Sequence, residues 1–488
     1  MDRRYLIGLA LLLLGLAGGI LVRTVQHSYE PSGVNPVPRP AFDSTAAVDR
    51  LAEAVRIPTV TDQDTAAMNH GAFEGFVDFM AEAYPRVHDS LRRERMGSNG
   101  YTLLYRWPGR DTTQKPLMLM GHYDVVPIEE GTGPEWRHAP FGGERADGFL
   151  WGRGTLDDKS GTLSAFEAVE YLLGTGYRPE RTVYLAANHD EEIGGQRGAA
   201  RVAKRLEERG VELAFLVDEG MPVAQEVLKG IESPLALVGV AEKGSITLRL
   251  EVVRDGGHAS MPPRKTAIGE LASAVHRLKN NPMPSRFGPL LRNAFDPLSA
   301  ELPFVYRMGL ANLWLFRPVI KSRLARVPHT NAAMRTTIAP TVFRAGMKSN
   351  VLPAHAETYL NFRIHPRDEV QDVIDHVERV INNPDVTITT VGPARPASRV
   401  SDVEAQAYQQ LKLSVWETFG EIPVAPSLFV AASDSRYFHD VTRNVYRFRP
   451  LRARPEDRKR VHGTNERISV DNYLEMIHFQ IRLLKNTT

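Results

Sequence analysis

The 488-residue chain contains no cysteine. That excludes disulfide bridges and thiolate metal sites, leaving histidine, aspartate and glutamate as the side chains able to hold a metal ion. An excess of charge of one sign is also lacking. Lys+Arg number 60 against Asp+Glu 58, a formal net charge of +2, and no basic block alternates with aromatics. A nucleic-acid partner is therefore not expected. With 42% hydrophobic and 24% charged residues, the chain can fill the cores of two or more domains, which excludes general disorder.

One long apolar run is present, in the N-terminal segment 1–27. Residues 6–22 carry no charge, come after Arg3 and Arg4, and run directly into Arg23. The run has no polar face, so it does not read as an amphipathic helix of a soluble core. No small-x-small cleavage site comes after it, and residues 28–41 form a proline-rich tether. We expect an uncleaved membrane anchor with the N-terminus in the cytoplasm and the bulk of the chain outside it. The alternative is a removed signal peptide and a secreted protein.

From residue 42 onward strand and helix patterns alternate. Residues 117–120, 182–187 and 214–217 are short apolar strands, with helical patterns at 163–173 and 199–208. The expected fold class is α/β: a mixed sheet flanked by helices, built from residues 42–240 and closed by residues 393–488. Residues 241–392 alternate differently, with strands at 246–253, 355–364 and 386–391 and helices at 267–278 and 370–381. That pattern predicts an inserted α+β sandwich, interrupted by a proline- and arginine-rich stretch, 280–330, expected to be irregular.

The three apolar strands of the first unit end in Gly121-His122-Tyr123-Asp124, in His189-Asp190-Glu191-Glu192 and in Asp218-Glu219-Gly220. Ligands of open α/β sheets bind beyond the carboxyl ends of strands. Singly, each patch has a plain reading: His122-Tyr123-Asp124 as a turn, Asp157 or Asp158 as a helix cap, Glu191-Glu192 as a solvated pair. Together they supply the ligands for two zinc ions. His122 and Asp218 can serve one, Glu192 and His462 the other, and Asp157 can bridge them. Glu191, beside a ligand but not needed as one, can move a proton between water and the leaving nitrogen. Asp124 can accept a hydrogen bond from the His122 imidazole and fix its tautomer.

Three stretches, Gly121-His122-Tyr123-Asp124-Val125-Val126-Pro127, Gly152-Arg153-Gly154-Thr155-Leu156-Asp157-Asp158-Lys159 and Asp190-Glu191-Glu192-Ile193-Gly194-Gly195, resemble the signatures of the family-20 metallopeptidases, in that family's order. The resemblance runs from about residue 42 to the C-terminus. Asp434-Ser435-Arg436-Tyr437-Phe438, Tyr446-Arg447-Phe448 and His462-Gly463-Thr464-Asn465-Glu466 look most like the branch holding carboxypeptidase S and the N-fatty-acyl-amino-acid synthase/hydrolases. One departure is Ala431-Ala432-Ser433, where the family has glycine.

The resemblance implies the same ligand set, with zinc as the metal and cobalt or manganese as alternatives, and a cis peptide bond between Asp157 and Asp158. It implies Glu191 as general base. It also implies that the inserted unit is a lid that pairs two copies of the chain. His258, in Gly257-His258-Ala259-Ser260-Met261-Pro262-Pro263, would stabilise the oxyanion, and Asn350 and Arg363 would hold the substrate carboxylate. The expected reaction is hydrolysis of an amide next to a free carboxylate, in a short peptide or an N-acyl amino acid. An aminopeptidase, dipeptidase or desuccinylase on the same scaffold is the alternative, and an inactive binding protein is a third class.

Overall fold

In the computed structural model, which describes residues 3–26, 33–226, 233–299 and 301–488, strands Leu117–His122 and Val183–Asn188 are buried along their whole length. Successive strand side chains point to opposite faces. Leu117, Leu119, Val183 and Leu185 accordingly enter one core, while Met118, Met120, Tyr184 and Ala186 enter another. Burial on both faces makes such a strand a continuous apolar run. Each fully buried side chain of this kind contributes about 1.5–3 kcal/mol.

These strands lie inside an eight-stranded sheet. Its order is Arg92–Met96, Thr102–Trp107, Val183–Asn188, Leu117–His122, Phe215–Ala224, Val445–Ala453, Leu235–Glu242 and Val424–Phe429. The four strands from Val183–Asn188 to Val445–Ala453 run parallel, with antiparallel neighbours on either side. Helix Ala199–Glu208 covers one face through Ala199, Val202, Ala203 and Leu206, the spacing of one helical stripe. Helices Lys159–Gly174 and Val470–Thr487 cover the other through Leu163, Phe166, Val169, Tyr473, Ile477 and Leu484. The parallel strands therefore bring the ends of Leu117–His122 and Val183–Asn188 to the same edge.

A second sheet is antiparallel throughout, ordered Thr337–Ala345, His355–Ile364, Gly244–Val253 and Val386–Arg395. Ile246, Leu248, Leu250 and Val252 alternate into its core beneath helices Ala267–Asn280 and Val370–Ile381. Thr266 caps the first of these helices by accepting from the Gly269 amide at 3.1 Å. The chain leaves the large sheet after Glu242 and returns beside it, the Ser398 amide donating to the Glu242 carbonyl at 3.0 Å.

The 280–330 stretch is not irregular. It holds helices Pro289–Phe295, Phe304–Ala311 and Leu313–Leu324, and leads into Pro328–Met334. Pro289 and Pro328 sit in first turns, where a missing amide costs no hydrogen bond and the fixed φ suits the helix. Those prolines start helices; read as breakers they conceal them. Helix Arg3–Gln26 is long and apolar enough to cross a membrane, a property that signal sequences share, and its leucines are exposed. Of the predicted proline-rich tether, residues 28–32 lie outside the described residues.

Candidate metal centre

His122 closes its strand with its ring buried, and Gly121 lets it do so. A Cβ at Gly121 would stand 2.6 Å from both Asp158 Oδ2 and Thr162 Oγ1, so a larger residue would push the strand end off helix Lys159–Gly174. The His122 Nδ1–H donates to the Asp124 carbonyl oxygen at 3.0 Å, with Asp124 Oδ1 at 3.4 Å. The carbonyl is the nearer partner of the ring, and Nε2 is left facing the site. Nε2 lies 3.3 Å from Asp157 Oδ1 and 3.4 Å from Glu219 Oε1.

The Asp124 carboxylate does a second job. Oδ1 accepts from the Glu191 amide and Oδ2 from the Glu192 amide, both at 3.1 Å, while Thr61 donates to Oδ2 at 3.2 Å. One buried aspartate thus ties the turn Glu191–Ile193 to the end of the His122 strand. In the same turn region, Gly195 has φ +66°, and a Cβ there would overlap the Asp434 carboxylate.

Asp157 is held from the other side. Glu466, fully buried, accepts from the amides of Gly154, Leu156 and Asp157 at 3.0, 2.8 and 3.2 Å. Its other oxygen pairs with Arg153 at 2.6 Å. Removing one partner of a buried pair leaves an uncompensated charge and costs about 3–5 kcal/mol. Glu466→Ala is therefore expected to lower the unfolding free energy by that amount, read from the denaturant midpoint. A midpoint unchanged from wild type would refute this role. The peptide bond between Asp157 and Asp158 is cis, as the family resemblance implies.

His462 approaches from the C-terminal segment. Its Nε2 lies 3.2 Å from Asp157 Oδ2 and 3.2 Å from Glu192 Oε1, with the ring 52% exposed, so it stands at the mouth of the site. Four expected ligands, His122, Asp157, Glu192 and His462, are therefore brought together. Single ligand atoms of His122, Asp157 and Glu192 lie within 4.8 Å of one another, and so do those of His122, Asp158 and Glu219.

At the expected fifth position it is Glu219 that faces His122. Asp218 is buried and accepts from the Ser435 amide at 2.9 Å. Neighbouring strand residues project to opposite faces, and the pairing with strand Val445–Ala453 slips between Asp218 and Met221, which re-aims the side chains there. Sequence reasoning also missed Arg449. Its Nη2 lies 2.6 Å from Glu219 Oε2, 2.8 Å from Asp158 Oδ1 and 3.1 Å from Asp157 Oδ1.

His258, Asn350 and Arg363 lie on the second sheet unit and are exposed. His258 Nδ1 is 2.7 Å from Ser260 Oγ, and the Ala259 amide donates to the Asn350 carbonyl at 3.1 Å. Among the described residues, no hydrogen bond or ion pair joins these three to the carboxylate cluster.

The electrostatics of the cluster are those of a site crowded with acids. Burial, then Glu219, pushes the Glu191 carboxyl well above its usual range. Burial raises Glu192 to about 7, Asp158 to about 8 and Asp218 to about 7. Burial opposes charge on Asp157 too, but the bonds from His122 and His462 and the Arg449 charge hold it well below the usual carboxylate range. Bonds to Asp157 and Glu192 raise His462 to about 10. Acids driven toward the neutral form and imidazoles driven toward the charged one mark a pocket that favours added positive charge. Hard carboxylate oxygens and imidazole nitrogens are the donor set for zinc, so the residues present fit that group.

The signature of peptidase family M20/M25/M40 matches residues 118–486. The N-fatty-acyl-amino acid synthase/hydrolase PM20D1 of Xenopus tropicalis is 41% identical over 90% of this chain and 85% of its own length. Carboxypeptidase S of Saccharomyces cerevisiae is 30% identical over 92% and 85%. Among solved structures, the M20 family metallo-carboxypeptidase Sso-CP2 from Sulfolobus solfataricus superposes with a TM-score of 0.65 at 17% identity, covering 90% of this chain and 99% of that one. Human carnosine dipeptidase 1 does so with a TM-score of 0.61 at 16% identity, covering 92% and 100%.

Proposed function

Because the chain belongs to the M20/M25/M40 peptidase family, and is a hydrolase of that metal-dependent class, we propose that it cleaves the amide bond next to a free carboxylate in N-acyl amino acids or short peptides. The observation that carries this reading is the pairing of Glu191 with Glu192 on one turn, both amides held by Asp124. Glu192 Oε1 lies 3.2 Å from His462 and a ligand atom of Glu192 is within 4.8 Å of one of Asp157, while among the described residues the Glu191 carboxyl takes no part in that bond network and has a raised proton affinity. Such a group can take a proton from water and return it to the leaving nitrogen.

His122, Asp157, Glu192, His462 and Glu219 would hold two zinc ions, with Asp157 shared between them. The bound metal would supply Lewis-acid polarisation of the scissile carbonyl and acidify water. Asp124 fixes the His122 ring and the turn, so the proton carrier and the ligands keep one spacing. Arg449 pairs with Asp157 Oδ1, the oxygen that also faces His122, and with Glu219 Oε2, the oxygen turned away from that ring.

Arg363 offers a guanidinium fork suited to the substrate carboxylate. His258 offers a donor for the oxyanion and Asn350 a polar contact beside it. These residues stand apart from the cluster, so their part in the reaction requires the second sheet unit to close over it, or a second copy of the chain to present its own unit. Helix Arg3–Gln26 would anchor the protein with its hydrolase body outside the cytoplasm.

The test is a hydrolysis screen of N-acyl amino acids and short peptides, each beside its C-terminal amide, with zinc added. Turnover of the free carboxylates and loss of turnover on the amides is the expected result. Equal turnover of both would refute the carboxylate reading.

A further inference from the structure

Helices Phe304–Ala311 and Leu313–Leu324 contain no buried residue. Phe304, Val305, Tyr306, Trp314, Leu315 and Val319 are between 41% and 68% exposed. Isolated exposed apolar side chains are ordinary on a soluble surface, whereas a concentration of large ones marks an interaction face. Here six fall between residues 304 and 319 on two consecutive helices.

The surroundings say what covers them. Asn312, buried at the junction of the two helices, reaches back to helix Arg3–Gln26, its Nδ2 lying 3.3 Å from the Ile20 carbonyl oxygen and 3.2 Å from Thr24 Oγ1. At about 1.5 Å per residue the uncharged run 6–22 is about 26 Å long, close to the hydrocarbon thickness of a bilayer. Ile20 and Thr24 straddle the end of that run, immediately around Arg23. The helix pair is therefore fixed at the level where an inserted N-terminal helix would leave the hydrocarbon.

Its composition suits that depth. Tyr306 and Trp314 are of the types that settle at the membrane–water boundary. Arg307, Arg317, Lys321, Arg323 and Arg326 accompany them, and no aspartate or glutamate occurs between Glu301 and Glu357. Apolar side chains interleaved with cations and free of anions match acyl chains under phosphate head groups.

We propose that helices Phe304–Ala311 and Leu313–Leu324 form a membrane-surface hairpin that lies in the bilayer interface against the end of the N-terminal helix. Two contacts, one spanning and one interfacial, would fix the orientation of the hydrolase body on the membrane rather than leave it on a loose tether. This goes beyond the hydrolase reading and is independent of it, but it rests on the reading of helix Arg3–Gln26 as a membrane anchor.

The test is local quenching of Trp314 in the full chain reconstituted into phosphatidylcholine vesicles whose acyl chains carry bromine. Trp107, Trp136 and Trp151 are buried and Trp416 packs against the main core, so they serve as the background. The wild-type chain is expected to lose emission in brominated vesicles that the Trp314→Phe chain does not lose. Equal quenching of the two chains would overturn the proposal. So would a Trp314 left unquenched because a second copy of the chain covers it, which cross-linking between protomers would report.

Discussion

Glu191→Gln is expected to lower kcat by roughly 10²- to 10⁴-fold, the range that a positioned acid–base group contributes, while the bound metal content stays at the wild-type level. Glutamine keeps the length and the polar outline of the side chain, and the Glu191 amide still donates to Asp124. What it loses is the carboxyl that can gain and release a proton. Glu192, adjacent on the turn, keeps its contact with His462, so the proposed metal ligands are not disturbed. KM should therefore move little. Elemental analysis alongside steady-state kinetics checks this, and wild-type turnover in the variant would contradict the assignment of Glu191 as proton carrier.

Asp157→Ala is expected to abolish activity by a different route, through loss of metal. Asp157 touches both imidazoles, with Oδ1 at 3.3 Å from His122 and Oδ2 at 3.2 Å from His462. Without it the carboxylate that both imidazoles contact is lost, and Arg449 loses one of its partners. Metal content measured after gel filtration should fall for both ions together. The fifth position gives a sharper comparison. Glu219→Gln should shed one ion, whereas Asp218→Asn, whose native side chain accepts from the Ser435 amide, should retain both. The opposite pattern would return the fifth ligand to Asp218.

The strand ends were legible because strands buried on both faces stand out as apolar runs, and the polar residues that succeed them at the sheet edge, His122, Asp124, Glu191 and Glu192, break the pattern sharply. The choice between Asp218 and Glu219 was not legible, since the two residues are adjacent and only the slip in pairing at that point decides which one faces the cluster. Arg449 gave a weak signal. It lies late in strand Val445–Ala453, and an arginine late in a strand reads as a solvated end unless its carboxylate partners, distant in sequence, are known. Glu466 was hidden for the same reason, its partners lying at Arg153, Gly154, Leu156 and Asp157. Prolines at helix starts, and Pro318 inside helix Leu313–Leu324, concealed the helices of the 280–330 stretch, whose exposed apolar faces become apparent only once the chain is folded.

The most direct test of the central claim is a zinc titration of the chelator-stripped full chain, tracking hydrolysis of an N-acyl amino acid and bound metal in the same samples. The account predicts no activity in the stripped protein, and recovery that saturates at about two bound zinc ions per chain, as the donor set allows. Activity that persists without metal, or that reaches its maximum at one bound ion and gains nothing from a second, would contradict it.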